Sequence, residues 1–214
     1  MLMKLSLKTP LIIALVTAAV FGAAAQASTD RSAAAILERC TSAIDKAGAV
    51  QMDFTIQGQG GDFAGKITMA SNYFTMVVPG VRIWFDGRTQ WTLLEEQSSV
   101  SITEPTPEEL MESNPFVILA NYSKRYNARR IAGAPAGAKS VVLTPTGKSA
   151  AGIAQAVLTV SDATWLPSEV DITFDNGAEI KATVTACRTV ARPNQAAFRF
   201  PQKDYQAIEI VDLR

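Results

Sequence analysis

A mainly β (α+β) fold is what this sequence predicts: one large curved sheet of about eleven antiparallel strands, covered on one face by helices. Three observations carry it. Apolar residues alternate with polar ones at period two from Met52 almost to the C-terminus. Turn dipeptides such as Pro79-Gly80, Asp86-Gly87 and Asn176-Gly177 punctuate that alternation at short intervals. Helical spacing is confined to one N-terminal stretch and one central interruption.

The chain opens on a leader. Lys4 and Lys8 form a positive n-region, Leu11 to Phe21 an apolar h-region, and Ala25-Gln26-Ala27 a small-residue cleavage site before Ser28. The apolar run is short for a bilayer span, and no second run of ~20 apolar residues follows it. Residues 1–27 are therefore read as a signal peptide cleaved after Ala27 rather than as an uncleaved anchor. Residues 28–214 are read as a single exported domain.

From Ser32 to Ala47, Ile36, Cys40, Ala43, Ile44 and Ala47 share one face of a helix, which Asp30 or Ser32 can cap and Gly48 ends. Met52, Phe54 and Ile56 then alternate with polar neighbours in a first strand. Further strands are expected at Phe63–Ala70, Tyr73–Val78, Val81–Phe85, Thr89–Leu94 and Ser98–Thr103. Thr106-Pro107-Glu108-Glu109 interrupts them with a capping box, and Asn114-Pro115 repeats the cap-plus-proline device before Phe116 to Ala120. Strands resume at Tyr126–Ile131, Ser140–Pro145, Ile153–Val160, Glu169–Phe174, Glu179–Thr189 and Ala207–Val211.

Of the 214 residues 48% are apolar, and 20 acidic side chains balance 20 basic ones. Loss of the leader removes two lysines and no acid, so the remainder is nearly neutral and offers no polyanion-binding surface. Nucleic acid is not an expected partner. There is no histidine. That excludes Ser-His and Cys-His nucleophiles, a histidine general base and the commonest zinc ligand, and argues against an enzyme. No cofactor and no metal site is expected. The glutamates at 95, 96, 104, 108, 109 and 112 lack calcium-loop spacing and read as capping and solvated residues. Arg125, Arg129 and Arg130 read as a solvated strand face, and Asn121-Tyr122-Ser123 is a glycosylation pattern common by chance.

Residues 73–94 stand out because both strand faces are apolar: Phe74, Met76 and Val78 share one face, Ile83 and Phe85 another, with Val77 and Trp84 opposite. Methionine and aromatic side chains suit an adaptable apolar ligand as well as an ordinary core. Phe116 to Ala120, apolar all round, must be buried on several sides or exchange partners. Cys40 and Cys187 lie in distant elements of an exported chain, so a bridge between them is expected, with two buried free thiols as the alternative.

Taken in order, several short motifs resemble the periplasmic outer-membrane lipoprotein carriers, the LolA-like proteins. They are Gly65-Lys66-Ile67, Asn72-Tyr73-Phe74, Asp86-Gly87-Arg88-Thr89-Gln90-Trp91, Asn114-Pro115-Phe116-Val117-Ile118-Leu119, Leu143-Thr144-Pro145, Leu166-Pro167-Ser168-Glu169-Val170 and Phe198-Arg199-Phe200-Pro201 with Glu209 to Asp212. The resemblance implies an incomplete antiparallel β-barrel whose concave apolar face is covered by a helical lid, in a periplasmic monomer. It implies a carrier that takes acyl chains of lipoproteins or lipids from an inner-membrane release complex to an outer-membrane receptor. The alternative is a sensing domain that binds such molecules without moving them. The cavity lining expected on this basis is Met52, Phe54, Ile56, Ile67, Met69, Phe74, Met76, Val78, Ile83, Phe85, Trp91 and Leu93. The expected lid is Phe116, Val117, Ile118 and Leu119. The sequence departs from the family at Ala70-Ser71-Asn72, where an arginine that holds the lid by hydrogen bonds is missing.

Overall fold

A computed structural model describes residues 30–58, 61–149 and 151–214 of the chain. The expected signal peptide lies outside the described residues. Helix α1 spans Arg31–Ala47 and starts where the sequence offers its cap: the Asp30 carboxylate accepts from the Ala33 N–H at 2.6 Å. The same carboxylate accepts from the Ser32 hydroxyl and the Arg130 N–H, and these bonds hold it down to a pKa of about 2. At the other end Gly48, at φ 75°, closes the helix with its N–H on the Asp45 carbonyl, a conformation that disfavours any residue with a Cβ. Ala33, Ile36, Leu37, Cys40 and Ile44 form the buried face, each large side chain there contributing ~1.5–3 kcal/mol.

Among the described residues twelve strands rather than about eleven follow, in one sheet. They are β1 (Ala49–Gly58), β2 (Phe63–Ala70), β3 (Tyr73–Val78), β4 (Val81–Phe85), β5 (Gln90–Leu94) and β6 (Ser99–Thr103), then β7 (Tyr126–Ile131), β8 (Ala138–Pro145), β9 (Ile153–Ser161), β10 (Pro167–Phe174), β11 (Glu179–Val190) and β12 (Glu209–Asp212). Their spatial order is β12-β6-β5-β4-β3-β2-β1-β11-β10-β9-β8-β7, so the sheet is open between β12 and β7 and the barrel is incomplete. All pairings are antiparallel except the last: β12 returns after a long excursion and runs parallel to β6. Hairpin alternation cannot reveal such a pairing, because a parallel neighbour needs a crossover.

Between β6 and β7 lie α2 (Pro107–Ser113), a 3-10 turn (Pro115–Val117) and α3 (Ile118–Arg125). The capping box forms as the sequence implies, with Thr106 Oγ1 accepting from the Glu109 N–H and Glu109 Oε2 from the Thr106 N–H. The Asn114 side chain caps the 3-10 turn by accepting from the Phe116 N–H at 3.0 Å. These three short pieces and α1 cover the concave face, and the main core lies between them and strands β1–β4 and β7–β11.

The expected Cys40–Cys187 bridge is not formed; both thiols are free. Cys40 is sealed on the sheet-facing side of α1, where burial, with a smaller contribution from Cys187, pushes its thiol up to about 12; Cys187 sits in the exposed end of β11. An even cysteine count in an exported chain sets no geometry, and a bridge needs one.

Candidate functional site

Register decides which side chains share the concave face. Val50, Met69, Phe74 and Phe85 lie opposite one another across β1–β4, as do Met52, Ile67, Met76 and Ile83, and then Phe54, Gly65, Val78 and Val81. Phe54 needs the glycine opposite it: a Cβ on Gly65 would sit 2.5 Å from the Phe54 ring. That room lets Phe54 meet Phe116 edge-to-face at 5.9 Å, a direct contact between sheet and lid.

At one end of this face the covering is incomplete. A cavity of about 690 Å³ opens there, with Met69, Phe74, Phe85, Ile44, Leu110, Phe116 and Val117 as its apolar wall. Its rim is polar and comes from α1 (Thr41, Asp45), the β2–β3 turn (Ser71, Asn72), the start of β3 (Tyr73) and the loops at Gly87-Arg88 and Glu104-Pro105. Arg88 and Glu104, neighbours where β5 and β6 adjoin, pair at 3.1 Å on that rim. The Asp86 carboxylate stiffens that rim by accepting from the N–H groups of Arg88 and Thr89 and from Arg199 at 2.9 Å. The arrangement suits a ligand that is apolar at one end and polar at the other.

Of the side chains expected to line a cavity, Met69, Phe74 and Phe85 do so. Met52, Phe54, Ile56, Ile67, Met76 and Ile83 are packed into the core beneath the helices, with Val78 against its edge. Trp91 and Leu93 are elsewhere: Trp91 pairs with Trp84 and Leu93 with Arg82, so both belong to the convex face. Thr92 and Leu94 take the concave positions instead. On the convex side, Trp84 packs on Phe200 and Tyr205, and Tyr73 on Phe198, beneath the chain that leads to β12.

Phe116, Val117 and Ile118 are buried within the cover of the concave face; the Leu119 side chain lies outside the described residues. The missed residues are those at the mouth, above all Arg88, Glu104, Thr41 and Asp45. Asp86-Gly87-Arg88 was readable as a turn, but nothing local says that it faces α1. Next to the lid, Tyr126 donates from its hydroxyl to the Met111 sulfur at 3.0 Å, and burial raises its pKa. Among the described residues no cluster of three metal-ligating side chains occurs, and no helix is long and apolar enough to cross a membrane.

Residues 22–175 match a family described as outer membrane lipoprotein carrier protein LolA. No curated protein matches the chain. Among solved structures, an uncharacterized conserved protein from Thermus thermophilus shares the fold at 15% identity, with 85% of this chain and 99% of that one covered and a TM-score of 0.58. A LolA superfamily protein from Nitrosomonas europaea is similar at 12% identity, over 79% of this chain and 98% of that one, with a TM-score of 0.47. MucB, in its Pseudomonas aeruginosa complex with MucA, is similar at 16% identity over 80% and 62% of the two chains, with a TM-score of 0.43.

Proposed function

The chain belongs to the LolA outer-membrane lipoprotein carrier family, and from that premise we propose that it is a periplasmic carrier of acyl chains. The acyl chain enters the cavity under the lid while the polar part of the cargo stays at the Arg88–Glu104 rim. The cargo is a lipoprotein or lipid received from an inner-membrane release complex and handed to an outer-membrane receptor. The observation that carries this reading is the cavity of about 690 Å³, apolar within, polar at its mouth and roofed by Phe116 and Val117.

The energetics suit transfer. Burying acyl methylenes yields ~0.8 kcal/mol each, so a chain of ordinary length gains roughly ten kcal/mol. Moving the lid exposes Phe116 and its neighbours and offsets part of that gain. Cargo then passes to an acceptor of slightly higher affinity with no energy source. The binding is non-covalent: with no histidine in the chain, Thr41 and Ser71 at the rim lack the usual activating base.

Mass spectrometry of organic extracts from the purified protein tests the reading; acylated cargo is expected, and an extract free of it sinks the carrier role. Phe74→Glu tests the site. Phe74 is 1% exposed but borders the cavity, so the new carboxylate must draw water in from that side; the protein is expected to lose stability yet remain folded while uptake of a fluorescent acyl probe is lost. Wholesale unfolding would mark Phe74 as plain core, and unchanged uptake would place the ligand elsewhere.

A further inference from the structure

A second cleft, about 420 Å³, lies at the far end of the lid, where α3 runs into β7. Lys124, Arg125 and Tyr126 form one wall and the loop Thr146 to Ser149 the other. The walls are held together: the Arg125 carbonyl accepts from both the N–H and the hydroxyl of Thr146, at 2.8 and 3.2 Å, and Tyr126 pairs with Pro145 in the sheet. None of the lining residues is acidic. Three cationic side chains thus surround one small space in a chain whose acidic and basic residues balance overall.

Lys124 and Arg125 by themselves have a structural explanation, since cations in the last turn offset the helix dipole. That account does not extend to Lys148, which a separate loop brings to the same cleft and which adds like-charge repulsion there. Nor does it extend to Ser149, which lines the cleft and whose hydroxyl is shielded from solvent and has no hydrogen-bond partner among the described residues. At Gly147 a Cβ would meet nothing within 4 Å, so the space beside the loop is open. Three cations and an unused hydroxyl donor match a tetrahedral oxyanion.

We propose that this cleft is a binding site for a phosphate group, carried either by a lipid headgroup or by a soluble phosphate. Lys124, Arg125 and Lys148 supply charge, and the Ser149 hydroxyl supplies a directed donor. The site is separate from the acyl cavity and does not depend on the carrier reading.

The test is titration of the full-length mature chain with inorganic phosphate, followed by amide chemical shifts, beside flotation with vesicles of phosphatidylcholine alone or mixed with phosphatidylglycerol. Saturable shifts at residues 124–126 and 146–149 are expected. Lys148→Ala should weaken phosphate binding about tenfold, and Ser149→Ala severalfold although it leaves the charge unchanged. Lys203→Ala, remote in sequence, should leave it as it is. Recruitment by phosphatidylglycerol vesicles that is lost in Lys148→Ala assigns the ligand to a lipid headgroup; phosphate binding without recruitment assigns it to a soluble phosphate. No saturable shift, or binding indifferent to Lys148→Ala and Ser149→Ala, overturns the proposal.

Discussion

Two covers lie on the same concave face, and they are built differently. Helix α1 is one unbroken run of 17 residues with both ends satisfied, by Asp30 and by Gly48. Arg39 on its flank also stacks over Trp165, 4.8 Å from the ring. The lid covers its part of the face in pieces of 7, 3 and 8 residues, with prolines at 107 and 115 and a joint at Asn114. Helices that short are marginal without tertiary packing. At the joint the Asn114 side-chain N–H₂ is buried and has no partner among the described residues. The difference bears on the proposal that the segmented cover is the one that moves. An unbroken helix resists local opening as one unit, while a segmented cover with an unsatisfied amide can open piece by piece, at the cost of exposing Phe116, Val117 and Ile118.

The strongest way to break that comparison is to make the same deletion in both covers. Leu37→Ala removes a fully buried side chain from α1 and should cost about 3 kcal/mol in denaturant unfolding. Leu110→Ala removes one that already borders a cavity, and should cost about half as much while speeding uptake of an acyl probe. Equal losses, with uptake unchanged, would show that the lid is as fixed as α1.

Next in size is Gly65→Ala, which acts on the lid from the sheet. The new methyl would lie 2.5 Å from the Phe54 ring and 2.7 Å from Val78, so Phe54 must move against Phe116. A loss of about 2 kcal/mol is expected from overpacking. Hydrogen exchange should rise more over residues 115–125 than over α1; uniform acceleration would mean that the strain spreads through the whole core.

Much of this architecture was legible in the sequence, for local reasons. The expected strands at 63–70, 73–78 and 81–85 match the observed ones residue for residue, because period-two alternation and tight turns are short-range signals. The Thr106 capping box was equally local. Trp91 and Leu93 show where such signals end. Alternation tells which residues share a face but not which face it is, and here both faces are covered, one by helices and the other by Phe198, Phe200 and Tyr205. Apolar character therefore no longer marks the concave side, and the register Phe85↔Gln90 settles the matter. The cavity mouth, the parallel β12 and the cleft at Lys148 all join segments far apart in sequence, which no local pattern encodes.

A smaller effect sharpens the α1 side of the comparison. Asp30→Ala should cost about 1 kcal/mol, the usual worth of an N-cap. Its pH dependence identifies the cause. The Asp30 pKa is depressed in the folded state to about 2, so its contribution is complete above the ordinary carboxylate range near 4. It fades as pH falls through about 2, because only the ionised carboxylate accepts all three hydrogen bonds. The gap between wild type and Asp30→Ala should be constant at neutral pH and narrow below about pH 4. A gap that persists at pH 2 would assign the loss to packing.

The smallest expected change in stability bears directly on the lid. Asn114 is fully buried; its Oδ1 caps the 3-10 turn through the Phe116 N–H, its own N–H donates to the Leu110 carbonyl at 2.8 Å, and its side-chain N–H₂ is unsatisfied. Serine at this position keeps an acceptor oxygen for the cap and discards the orphan donor. Two terms then compete. Removing a buried, unpaired amide N–H₂ relieves a penalty of ~1–3 kcal/mol, and the void left by the lost atoms takes back about 1 kcal/mol. The net result for Asn114→Ser should be a small gain, on the order of 0.5 kcal/mol. Asn114→Ala loses the cap as well and should fall below wild type by about 1 kcal/mol, which separates capping from the orphan amide. If the closed lid is held slightly off balance by that amide, the serine variant should also take up an acyl probe more slowly at unchanged final occupancy. Stopped-flow fluorescence reads the rate and equilibrium titration the occupancy. A serine variant that is less stable than wild type and takes up probe faster would mean that the amide is satisfied in the closed lid. The contrast between a fixed helix and a releasable one would then have to rest on chain segmentation alone.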